Sequence, residues 1–176
     1  HFGFQLTFFR VALAPGTPSR ASNWATNQVY LAHFALTDTR NERFRSWART
    51  SRAALGLAGA TAEPFHVWLG DWDARADAPG ALPIRLRASE EDVALDLWLD
   101  SAKLPVLQGE RGLSRKGPEP GNASYYYSLT RMPTRGTLRV RGERLDVEGI
   151  AWMDREWSTS ALGPELAGWD WFAVHL

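Results

Sequence analysis

The stretch Val93-Ala94-Leu95-Asp96-Leu97-Trp98-Leu99 constrains this chain most, because aliphatic side chains recur there at every second position. Only an extended strand turns Val93, Leu95, Leu97 and Leu99 to one side, so the segment reads as an antiparallel strand with one buried face. The same period recurs elsewhere. Phe2, Phe4, Leu6 and Phe8 alternate with Gly3, Gln5 and Thr7, and further short apolar segments are separated by clusters of Gly, Pro, Asn and Asp. The pattern predicts strands over residues 2–11, 28–36, 65–70, 82–87, 93–99, 123–130, 136–141, 144–152 and 169–176, hence an all-β chain forming a barrel or sandwich. Gly142-Glu143, between Leu138, Val140 and Leu145, Val147, predicts a tight hairpin. One helix is expected, over residues 42–55, where Phe44, Trp47, Ser51 and Leu55 recur at helical spacing before Gly56 and Gly59.

A chain of 176 residues buries a core without cross-links, and with no Cys it has no disulfide, thiol nucleophile or thiolate metal site. Twenty Lys and Arg balance twenty Asp and Glu, so there is no global basic field and a nucleic-acid reader is disfavoured. No apolar run approaches the ~20 residues of a membrane helix. The unusual quantity is nine Trp beside eight Phe and four Tyr. Residues 14–23, 73–80 and 107–122 read as loops, the last rich in Gly, Pro, Arg and Lys and suited to a lid or a disordered crossing. Asn122-Ala123-Ser124 fits a glycosylation sequon. Because His1 runs directly into a strand pattern and residues 169–176 form another without a closing turn, both edges are expected to be cuts through a longer protein, with any export signal upstream.

The densest chemical constellation is Trp152-Met153-Asp154-Arg155-Glu156-Trp157. On a strand, Trp152, Asp154 and Glu156 share one face, with the carboxylates about 7 Å apart beside an indole. A carboxylate against aromatic walls has a raised pKa and acts as a general acid near neutral pH; the competing reading is an arginine paired with either acid at a strand end. In Tyr125-Tyr126-Tyr127-Ser128 the first and third phenols share a face and line an apolar pocket, whereas Tyr126 reads as core. The Trp68-Asp71-Trp72-Asp73 and Trp169-Asp170-Trp171 groupings read as strand-end Trp residues whose N–H reaches a carboxylate or carbonyl. Asp71, Asp73 and Asp77 lack the turn Gly and the closing Glu of a calcium loop. His33, on an apolar strand, reads as a hydrogen-bonded core histidine, with a general base as the lesser alternative. No metal site and no cofactor is expected, because no histidine pair has ligand spacing, and Gly56-Leu57-Ala58-Gly59 lacks the dinucleotide pattern.

Taken together, the segments 4–10, 30–36, 125–131, 152–157 and 168–172 resemble the AttH family of predicted secreted hydrolases, relatives of carotenoid 1,2-hydratases. The resemblance implies a calycin, lipocalin-like antiparallel β-barrel, the first of a tandem pair, with residues 1–160 as that domain and 161–176 as the junction to a second. It implies lipid or isoprenoid handling. In the hydratase branch a Tyr-x-Asp carboxylate protonates an isolated alkene and water captures the cation; that Asp falls on Asp154, with Trp152 in place of the Tyr. The branch's His-x-Trp pair falls at Tyr125-Tyr126-Tyr127. The expected catalytic set is Asp154, with Glu156 or Tyr127 assisting, and the expected ligand-binding set is Trp152, Tyr125, His33 and Trp157. The expected alternative is a non-catalytic lipid carrier of the bacterial cell envelope that serves an ABC-type transporter. Expected partners are an apolar ligand and the remainder of a second barrel, and the expected location is periplasmic or secreted.

Overall fold

A computed structural model describes residues 1–16, 21–158, 167–168 and 171–174. The elements are all strands: β1 (Phe2–Ala12), β2 (Gln28–Asp38), β3 (Arg43–Arg52), β4 (Ala58–Thr61), β5 (His66–Leu69), β6 (Trp72–Ala76), β7 (Ile84–Glu90), β8 (Val93–Leu99), β9 (Val106–Leu107), β10 (Leu113–Arg115), β11 (Ala123–Val140) and β12 (Glu143–Trp157). No helix occurs among the described residues, and the expected all-β, antiparallel, lipocalin-like class is the one observed. The chain divides into two compact units, one made of His1–Trp98 with Arg135–Val147 and the other of Leu99–Thr134 with Glu148–Leu176.

In the first unit β1, β2 and β3 form an antiparallel sheet, with Leu6 opposite Phe34 and Phe34 opposite Trp47. Strands β4 to β8 follow as neighbours in chain order, and β11 lies against β8. Phe34 and Trp72 are fully buried and meet edge to face at 5.7 Å, while Trp47 stacks on Phe34 at 5.2 Å. Val93, Leu95, Leu97 and Leu99 are all buried, as their alternation requires.

The expected helix over residues 42–55 is instead β3. Its true period is two: Arg45, Trp47, Arg49 and Ser51 are half-buried while the residues between them are exposed. On one strand face the arginines find partners that a helix would scatter. Arg45 pairs with Glu91 and Asp92, Arg49 with Asp71 and Glu90, and the Arg49 guanidinium lies 4.2 Å from the Trp72 ring centre.

Residues 123–130 and 136–141, expected as two strands, form the single strand β11. It runs through Pro133, whose carbonyl still accepts from the Asp100 N–H at 3.1 Å, and through Gly136, where a Cβ would lie 2.1 Å from the Asp96 carbonyl oxygen. The predicted hairpin at 142–143 is present with a two-residue turn, Arg141-Gly142, both at positive φ as a type I′ turn requires. Part of the expected loop 73–80 is β6, because Asp73, buried at 4% exposure, is neutralised by a two-pronged Arg87 contact at 2.8 and 3.0 Å. The loop 107–122 contains β10, and the sequon residues Asn122 and Ser124 are buried. Residues 171–174 carry no strand; 169, 170, 175 and 176, like 159–166, lie outside the described residues.

Candidate functional site

The second unit holds the residues that the sequence singled out around Asp154. Here the N-terminal half of β11 and the C-terminal end of β12 lie side by side, each with period two. One face of β11 carries Ser124, Tyr126 and Ser128, and one face of β12 carries Trp152, Asp154 and Glu156. Ser128, with no exposed surface, donates from Oγ to Asp154 Oδ1 at 2.6 Å. The Trp152 indole N–H donates to the same oxygen at 2.9 Å. Gln108 completes a relay by donating from Nε2 to Ser128 Oγ at 2.9 Å. Two donors from different strands thus converge on a single oxygen of Asp154.

Tyr126 stands beside this carboxylate. Its phenol is pushed above 10.0, first by desolvation and then by its hydrogen bond to Asp154 and the charge of that group, against the opposing hydrogen bonds of Trp171 and Ser128. Trp171 Nε1 donates to the phenol oxygen at 3.2 Å, and the Lys116 ammonium lies 5.5 Å from the ring centre. Glu156 is held differently: Lys116 Nζ bridges to Oε1 at 2.6 Å and the buried Ser124 hydroxyl donates to the same atom. The sequence anticipated an arginine for one of these acids. Lysine takes Glu156, and among the described residues the ion pairs leave Asp154 to neutral donors.

Tyr127, Tyr125 and Trp157 occupy the opposite face of the same strands. Trp157 stacks on Tyr125 at 5.8 Å and meets Tyr127 edge-on at 6.3 Å, with the Arg155 guanidinium 6.0 Å from the Tyr127 ring centre. The phenol brought to Asp154 is therefore Tyr126, the one read as core. His33 belongs to the first unit and is not a core histidine: it is exposed on β2 and packs edge-on against Phe9 at 5.3 Å. Gln108, Lys116, Ser124 and Ser128 were missed as site residues. For Ser124 and Ser128 the sequence signal was their place, four residues apart with Tyr126 between them, on one face of the strand that precedes the two carboxylates; Gln108 and Lys116 had none.

The remaining candidates are structural. A cavity of about 170 Å³ in the first unit is lined by His66, Trp68, Asp71, Asp73, Arg75 and Arg87. Asp71, Asp73 and Asp77 each pair with an arginine, respectively Arg49, Arg87 and Arg75, which leaves no calcium-type cluster of open carboxylates. The Trp68 and Trp72 N–H groups each reach a backbone carbonyl, of Gly56 and Ser89, at 3.0 Å.

A family model of AttH-like proteins matches residues 1–176. The chain belongs to the AttH-like family. Among solved structures it is similar to an AttH protein from Nitrosomonas europaea, with a TM-score of 0.80 and 36% identity over 93% of this chain and 48% of that one. It is also similar to kievitone hydratase from Nectria haematococca, with a TM-score of 0.62 and 18% identity over 76% of this chain and 40% of that one; at that identity the likeness is one of fold. The AttH-like chain thus spans about half the length of the solved relatives it matches. No curated protein matches it.

Proposed function

We propose that the second unit carries a proton-transfer site that adds water to an apolar, isoprenoid-like alkene, with Asp154 as general acid. The observation that carries this reading is the convergence of Ser128, Trp152 and Tyr126 on Asp154, while Lys116 takes the neighbouring Glu156. A proton from the Asp154 carboxyl passes to one alkene carbon, whose π electrons form the new C–H bond. Water attacks the other carbon, and its surplus proton returns to the Asp154 carboxylate. The cationic carbon is stabilised by the π faces of Tyr126 and Trp152, and a general acid so placed contributes about 10²–10⁴-fold. The step consumes only water and substrate. Membership of a family with a hydratase-like fold supports this reading. A protein handling such apolar ligands fits the bacterial cell envelope.

The test incubates the chain and its Asp154→Asn variant with geranylgeraniol in heavy-oxygen water, and follows labelled tertiary alcohol by mass spectrometry. The expected result is labelled product from the parent chain and at least a ~100-fold loss in the variant. A parent chain that extracts and retains lipid but never forms labelled alcohol would instead make this a carrier.

A further inference from the structure

The face of β11 and β12 opposite Asp154 has a composition of its own. Tyr125 faces Leu113 of β10 and Tyr127 faces Leu107 of β9, directly across the antiparallel pairing, so all four side chains point the same way. Trp157 joins them through its contacts with both tyrosines. The patch is open to solvent: Tyr125 is 58%, Leu107 57% and Trp157 53% exposed. Contiguous apolar surface of this kind marks an interaction site. The stacked Tyr125 and Trp157 rings each cover one face of the other.

Two arginines and one glutamate stand on this face. Arg115 follows Leu113 at a spacing of two on β10, Arg155 lies over Tyr127, and Glu110 is bridged to Leu113. The carboxylates of the same hairpin, Asp154 and Glu156, alternate to the other face, where neutral donors and Lys116 hold them. Aromatic residues with an apolar body and a polar tip settle at the headgroup level of a bilayer, and arginines beside them are drawn to anionic headgroups. We propose that this face docks the protein on an anionic phospholipid surface, with Tyr125, Trp157, Leu107 and Leu113 entering the interface and Arg115 meeting lipid phosphates. A formal net charge of zero makes the attraction local to this face. The proposal uses none of the Asp154 chemistry and stands or falls separately from it.

The test is flotation of the chain with phosphatidylcholine vesicles, with and without phosphatidylglycerol. Binding is expected only with the anionic lipid, weakening as salt is raised, and falling about fivefold in Arg115→Gln, the loss of one basic residue near the surface. The Tyr125→Ser/Trp157→Ser double variant is expected to lose flotation while keeping the parent far-ultraviolet circular dichroism. Quenching of indole fluorescence by brominated lipid is expected to shrink in Trp157→Phe, a conservative change that leaves the strand intact. Three results overturn the proposal: no flotation on anionic vesicles, flotation indifferent to these substitutions, or a self-associating parent chain that Trp157→Ser turns monomeric, which would assign the face to a second copy.

Discussion

Asp154 and Glu156 stand two residues apart on one strand face, yet their surroundings oppose each other. Asp154 takes hydrogen bonds from the fully buried Ser128 and from Trp152, whereas Glu156 is more than a third exposed and meets a lysine. Removing Asp154 with Ala strands a buried hydroxyl and is expected to cost about 1–3 kcal/mol in urea unfolding. Glu156→Gln loses a partly solvated ion pair, which is worth about 0–1 kcal/mol. Equal costs would mean that the Ser128 contact is not made in solution. Tyr126 gives a pH signature. Its raised pKa means that the fold favours the neutral phenol, so the related stability is complete below 10.0 and is lost as pH rises through the higher folded value. Phenolate absorbance should show a late-titrating component that Tyr126→Phe removes.

Among the elements, β3 shows how partners outrank local periodicity. Helical spacing of Phe44, Trp47, Ser51 and Leu55 coexists with a period-two set of Arg45, Trp47 and Arg49, and the second set wins because β2 and the carboxylates of β7 and its turn lie within reach. The core that results rests on Phe34 of β2, packed between Trp47 and Trp72. Phe34→Ala should lower unfolding free energy by about 3–5 kcal/mol. Strand β11 keeps its length through Gly136, which lets the backbones of β8 and β11 approach. A methyl there meets the Asp96 carbonyl at 2.1 Å, so Gly136→Ala should destabilise by at least about 1–3 kcal/mol. Thermal melts of both variants check these values; an unchanged midpoint in Gly136→Ala would contradict the β8–β11 contact.

For the molecule as a whole, acid sensitivity follows from the carboxylates held by hydrogen bonds and cations. Asp38 is lowered chiefly by hydrogen bonds from Asn41, Asp92 by Arg45 and Asp96 by Arg85. Depressed carboxylates contribute stability that is complete above the usual 3.8 and is lost as pH falls through their lower folded values. Urea midpoints should therefore fall below about pH 4, and Arg85→Gln should make that decline shallower. The strand period, the shared face of Trp152, Asp154 and Glu156, the split between Tyr126 and its two neighbours, and the hairpin at Gly142, one residue off in its turn, were legible from the sequence alone. They follow from the alternation of side chains along an extended backbone, which any short window of sequence displays. Tertiary structure decided the rest: that residues 43–52 are a strand, that Asp73 is buried, and that Tyr126 rather than Tyr127 faces Asp154. Those outcomes depend on which strands become neighbours and in what register. Ser128 is 26 residues from Asp154 and Arg49 is 41 from Glu90, and no local pattern carries the energy of a contact that only folding creates.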